Sequence, residues 1–127
     1  MTALSILHVD DEDDIREVAA FALELDPAIT VTSAGSGEAA LAELDGGLRP
    51  GVILLDVMMP HLDGPGTLAR IRERTEHQAT PVIFMTARAQ SGEVDHYRAL
   101  GALDVITKPF DPMSLAGDVR AILAAQP

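Results

Sequence analysis

Five polar side chains follow four short apolar runs. Leu4 to Val9 leads into Asp10 and Asp11, Val52 to Leu55 into Asp56, and Val82 to Met85 into Thr86. Val105 to Thr107 leads into Lys108, the only lysine of the chain. Carboxylates, a hydroxyl and an ammonium gathered in one cleft suit a divalent cation and a phosphoryl group. Asp56 is the candidate nucleophile, since a carboxylate can attack phosphorus and become an aspartyl phosphate. Asp10 and Asp11 are the candidate metal ligands. Hard oxygen donors without sulfur or convergent histidine favour Mg²⁺, with Mn²⁺ as the alternative. Thr86 can donate to one phosphoryl oxygen and Lys108 can hold another as a point cation. Without metal, close carboxylates repel by about 4 kcal/mol per pair at 4 Å and an effective dielectric near 20, so at least one raised pKa is expected.

Such a cleft forms only if the runs are parallel strands of one sheet. The pattern alternates strand and helix throughout. Leu4 to Val9 reads as a strand and Asp13 to Leu25 as a helix, with Asp13 as N-cap and Ile15, Val18, Ala19, Ala22 and Leu25 on its inner face. Ile29 to Ala34 is a second strand. Ser36 caps a helix to about Leu44, ended by Gly46-Gly47. Val52 to Leu55 is continuously apolar, as in a strand covered on both faces. Gly64-Pro65 opens a helix with Leu68, Ile71 and Ala69 inward. A fourth strand follows Pro81, then a weaker helix from Ser91 to Leu100 interrupted by Gly92. Val105 to Thr107 is the last strand, and Asp111-Pro112 starts a final helix with Leu115, Val119, Ile122 and Leu123 inward. Five strands and five helices in alternation imply right-handed crossovers and a doubly wound parallel α/β sheet. Ligands of such sheets sit outside the carboxyl ends of the strands, where the five polar residues fall.

Composition narrows the function. The 127 residues fit one domain, and 47% hydrophobic content argues against disorder. The formal charge is -11, the arginines are scattered and aromatics make up 3%, which disfavours direct nucleic-acid binding. No apolar run approaches the roughly 20 residues of a membrane span, and no signal peptide is indicated. The absence of cysteine excludes thiolate chemistry and is consistent with a cytoplasmic location. His8 reads as a packing residue inside its strand, and His61, His77 and His96 lack metal-ligand spacing. Taken singly, the acids at 10 and 11 read as helix-capping charges, Asp56 as a turn residue, Thr86 as a cap and Lys108 as a surface charge. Their recurrence at successive strand ends is what sets them apart.

At HVDDEDD (8–14), ILLDVMMPHLDG (53–64), FMTA (84–87) and TKPF (107–110) the chain resembles the receiver domain of bacterial two-component response regulators. The resemblance covers nearly the whole chain. It implies a flavodoxin-like fold with strand order 2-1-3-4-5, one receiver domain over 1–127 and no output domain. It implies that Asp56 takes a phosphoryl group from a sensor histidine kinase or a histidine phosphotransfer protein. Mg²⁺ would be bound by Asp11, Asp56 and the backbone carbonyl of Met58, with Asp10 acting largely through water. Thr86 and Lys108 would read the phosphate, the Lys108-Pro109 bond would be cis, and Met58 and Arg88 would line the approach of water. The output would be changed binding to a downstream protein through the fourth and fifth helices and the last strand. One departure stands out. Val105 occupies the position, three residues before the lysine, where the family often has a Tyr or Phe that turns inward on activation. Tyr97 is the only tyrosine.

Two other functions fit less well. A Mg²⁺-dependent aspartyl-phosphate phosphatase normally carries a second aspartate two residues after the nucleophile, and Met58 stands there. A flavin-binding protein of this architecture needs a phosphate loop after the first strand, where Asp10 and Asp11 would repel the phosphate.

Overall fold

In the computed structural model, which describes residues 2–126, five strands and five helices alternate along the chain. They are β1 Leu4–Val9, α1 Asp13–Glu24, β2 Ile29–Ala34, α2 Gly37–Asp45, β3 Val52–Asp56, α3 Gly64–Arg72, β4 Val82–Thr86, α4 Ser91–Ala99, β5 Asp104–Thr107 and α5 Leu115–Ala124. A 3-10 turn at Thr75–His77, not expected from the sequence, follows α3. All strand pairs are parallel and the sheet order is β2-β1-β3-β4-β5, the expected flavodoxin-like arrangement. β1 lies between β2 and β3, so the chain reverses its winding direction there and leaves a crevice at the carboxyl ends of β1 and β3. Among the described residues no helix is long and apolar enough to cross a membrane.

Strand residues alternate between two apolar layers. Leu7, Val9, Ile53, Leu55 and Phe84 face α2 and α3, packing with Leu41, Leu44, Leu68 and Ile71. Ile6, Leu54, Ile83 and Met85 face α1 and α5, packing with Ala19, Ala22, Leu23, Leu115 and Val119. Every residue of β3 and of β4 is buried, as continuous apolar runs require. The sheet is therefore fixed from both sides, and its carboxyl end is a rigid platform.

Four local expectations are corrected. The inner face of α1 is Ala19, Ala22 and Leu23, while Val18, Phe21 and Leu25 are exposed; apolar residues surround this helix, so spacing alone fits more than one face. Glu12, not Asp13, is the N-cap, and no side chain caps the helix; Asp13 pairs instead with Arg16. In α3 Thr67 is buried and Ala69 exposed, because the Thr67 hydroxyl satisfies itself by donating to the Asp63 carbonyl at 2.7 Å. α5 begins at Leu115 rather than beside Asp111. The Asp111 carboxylate accepts from the Met113 amide at 2.9 Å, closing a turn before the helix. Ser36 caps α2 as expected, accepting from the Ala39 amide at 2.9 Å, and Asp63 caps α3 by accepting from Gly66 at 2.8 Å.

Candidate functional site

The carboxyl ends of β1, β3, β4 and β5 bring the predicted residues together. One carboxylate oxygen each from Asp10, Asp11 and Asp56 lie within 4.8 Å of one another. Asp10 is fully buried, Asp56 is 5% exposed and Asp11 is exposed. The Lys108 ammonium reaches across from β5, with Nζ 2.9 Å from Asp10 Oδ2 and 3.5 Å from Asp56 Oδ1. A cleft of about 250 Å³ is lined by Glu12, Asp56, Met58, Thr86, Ala87 and Lys108.

Backbone register sets these positions. Asp56 pairs with Met85 and Thr86 with Thr107, so the reactive ends of three strands step across the sheet together. The Lys108 amide then donates to the Thr86 carbonyl at 2.9 Å, tying β5 to the hydroxyl-bearing residue. The Thr86 hydroxyl accepts from the Arg88 amide at 3.1 Å. The Lys108-Pro109 peptide is cis. Gly64 allows α3 to approach the end of β3. A Cβ there would lie 2.6 Å from the Asp56 carbonyl oxygen and 2.8 Å from the Val57 Cα, closer than packing permits.

The electrostatics follow from burial and charge. Burial pushes the Asp56 carboxyl up to about 6, the Asp10 charge adds to this, and Lys108 and the Met58 amide oppose it. The raised carboxylate expected of a metal-free cluster is thus Asp56. Burial disfavours the Lys108 ammonium, yet its hydrogen bond to Asp10 and the charges of Asp56 and Asp10 outweigh burial and hold its pKa above the ordinary value. His8, fully buried on the face opposite Leu7 and Val9, is pushed down to about 4, chiefly by burial. Among the described residues its ring nitrogens find no partner.

Spacing missed two contributors. Arg16 donates to the Asp10 carbonyl at 2.7 Å, and the Glu12 amide donates to Asp10 Oδ1 at 2.9 Å. The first bond reaches back from α1 and the second comes from the turn after β1, and no periodicity reports either direction. The LDGPG stretch signalled Gly64, but only as a helix start. Tyr97 is half-buried and meets Phe84 edge-on, ring centroids 5.1 Å apart, while Val105 packs on the same layer. Tyr97 also lines a second cavity, of about 480 Å³, with Val57, Met58, Thr86, Ala87, Arg88 and Glu93.

A doubly wound sheet ending in three carboxylates, a hydroxyl and an ammonium has the donor set that a phosphoryl-accepting signalling module requires. Residues 6–120 match the family model of the response regulator receiver domain, and the chain belongs to that family, whose members are typically phosphorylated on aspartate. The transcriptional regulatory protein CseB of Streptomyces coelicolor is 42% identical over 118 residues, which are 93% of this chain and 48% of CseB. The chain spans about half the length of such curated relatives. An uncharacterized 14.6 kDa protein of Leptolyngbya boryana is 38% identical across 100% of this chain and 95% of its own. The chemotaxis response regulator CheY4 of Vibrio cholerae superposes with a TM-score of 0.86 at 29% identity, covering 95% of this chain and 99% of that one. Nothing in these likenesses supports the phosphatase alternative.

Proposed function

We propose that Asp56 is the phosphoacceptor of a response regulator that signals through changed protein binding. The observation that carries this reading is the position of Asp56: nearly buried, 3.5 Å from the Lys108 ammonium, and open to a cleft that Thr86 also lines. A carboxylate oxygen of Asp56 attacks phosphorus of a phosphohistidine on a histidine kinase or phosphotransfer protein. The P–N bond breaks, a P–O bond forms, and the imidazole leaves with a proton. Lys108 then holds one phosphoryl oxygen, and the Thr86 hydroxyl turns from the Arg88 amide to donate to another. Water later attacks phosphorus, the P–O bond to Asp56 breaks, inorganic phosphate leaves and the carboxylate is restored; the catalysis in this reading is phosphorylation and slow dephosphorylation of the chain itself.

Receiver domains generally bind Mg²⁺, and the donor set here fits: three carboxylates, oxygen only, mutually within 4.8 Å. Asp10, Asp11, Asp56 and the Met58 carbonyl would hold Mg²⁺, with Mn²⁺ as a substitute. When bound, the cation neutralises the incoming phosphoryl oxygens and screens the carboxylates. The reading includes a cytoplasmic location and a downstream protein target. Incubation with a small phosphodonor and Mg²⁺, followed by intact mass measurement, tests it. Wild type should gain one phosphoryl group and Asp56→Asn none; an unchanged wild-type mass overturns the reading.

A further inference from the structure

We infer that Arg16 is a positioning residue for the divalent cation, fixing the turn that carries Asp10 and Asp11. The inference rests on the cation reading above. Arg16 lies in the first turns of α1, and its Nη1 donates to the Asp10 backbone carbonyl at 2.7 Å. Its Nη2 reaches Asp13. One planar guanidinium therefore spans the turn from the end of β1 to the start of α1, a geometry a lysine ammonium cannot reproduce. The Asp10 carboxylate is already committed, Oδ1 to the Glu12 amide and Oδ2 to Lys108. Asp11 is exposed, and among the described residues its carboxylate makes no hydrogen bond. Its direction is set by the backbone on either side, which Arg16 holds. Gly35 makes room for the guanidinium: a Cβ there would lie 3.2 Å from Nη1 and 3.5 Å from Cζ.

Charge and positioning make opposite predictions. Arg16 is a cation beside a cation site, so by Coulomb's law alone its removal should tighten Mg²⁺ binding. If it positions the ligands, its removal loosens binding. Removal of an outer-shell partner that orients metal ligands typically costs 10–100-fold in affinity, so about tenfold is expected here. The experiment is a Mg²⁺ titration of wild type, Arg16→Met and Arg16→Lys, followed by amide NMR shifts, with a thermal melt of each. Both variants should bind Mg²⁺ about tenfold more weakly. Phosphorylation by a small phosphodonor should approach the wild-type rate once Mg²⁺ saturates.

Tighter or unchanged binding by Arg16→Met overturns the inference. So does wild-type affinity in Arg16→Lys, which keeps the charge and loses the fork. A rate lowered at saturating Mg²⁺ with affinity unchanged also overturns it. If Arg16→Met does not fold, Arg16→Lys alone decides. Failure of wild type itself to bind Mg²⁺ would overturn the cation reading and this inference with it, a result distinct from variants that bind as wild type does.

Discussion

Lys108 Nζ donates to Asp10 Oδ2 at 2.9 Å across the crevice, joining the last strand to the first. The bond is the main charge compensation for a carboxylate with no exposure. Breaking a buried ion pair from one side leaves an uncompensated charge, which typically costs 3–5 kcal/mol. In a chelator, Lys108→Met should therefore lose about 3 kcal/mol by urea unfolding. Added Mg²⁺ should stabilise the variant more than it does wild type, because the carboxylates then gain a cation in place of the ammonium. Equal stability of the two metal-free proteins would remove the argument.

Asp56 makes one of two opposing pH-dependent contributions to the stability of the metal-free protein. Its carboxyl stands at about 6 when folded, against an ordinary 3.8. Between those values the folded chain holds a proton that the unfolded chain has released. Stability from this group therefore falls as pH rises from about 4 to about 6, by roughly 3 kcal/mol in all. Asp56→Asn cannot titrate. It should be more stable than wild type by about 2–3 kcal/mol above pH 6 in a chelator, and nearly equal at about pH 4. Urea unfolding at both pH values checks this, and a difference that does not grow with pH contradicts it.

His8 works in the opposite sense. Burial lowers its pKa from 6.5 to about 4, so in that interval the unfolded chain holds the extra proton. Its contribution is complete above about pH 6.5 and is lost as pH falls toward 4, again by roughly 3 kcal/mol. The His8 and Asp56 slopes largely cancel in wild type, and each variant uncovers the other. Asp56→Asn should gain stability as pH rises from about 4 to 6, and His8→Leu should lose it over the same range. At about pH 8 His8→Leu should also be about 1 kcal/mol more stable per unpartnered nitrogen removed, less any packing mismatch. Parallel pH profiles for the two variants would show that these groups do not govern the slope.

The strand-end residues were legible because each follows a short, largely apolar run. Those before Asp56 and Thr86 are continuous and buried on both faces, as central parallel strands are, whereas β1 carries Ser5 and His8 and β5 is a short edge strand. Asp10, Asp11, Asp56, Thr86 and Lys108 needed only a parallel-strand reading and the sheet order to converge. What escaped depends on direction rather than spacing. Val18 and Leu25 satisfy a helical period as well as Leu23 does, and only packing against β-strand side chains decides which face turns in. Arg16 carries no pattern at all. Its side chain reaches backward along α1, and its partner is a backbone carbonyl, invisible to residue types. Gly64 was visible as a helix opener, but its closeness to the Asp56 carbonyl follows only from how α3 returns over β3.

Beyond Thr86 lies α4, the helix held least firmly. None of its residues is buried, and Gly92 lies in its first turn. Tyr97 is its main tie to the core, edge-on to Phe84 above the cavity that Thr86 lines. A Cβ at Gly92 would meet nothing within 4 Å, so alanine fits without strain. Glycine in a helix costs about 0.5–1 kcal/mol relative to alanine, through the freedom it restores to the unfolded segment. Gly92→Ala should therefore add up to about 1 kcal/mol and slow amide exchange through α4 in the unphosphorylated protein. If phosphorylation acts by loosening or shifting residues 87–107, the same variant should show a smaller change in exchange there on addition of a phosphate mimic, with mimic affinity at Asp56 nearly unaltered. An exchange response equal to that of wild type would mean that the signal leaves Thr86 by a route that does not require α4 to yield.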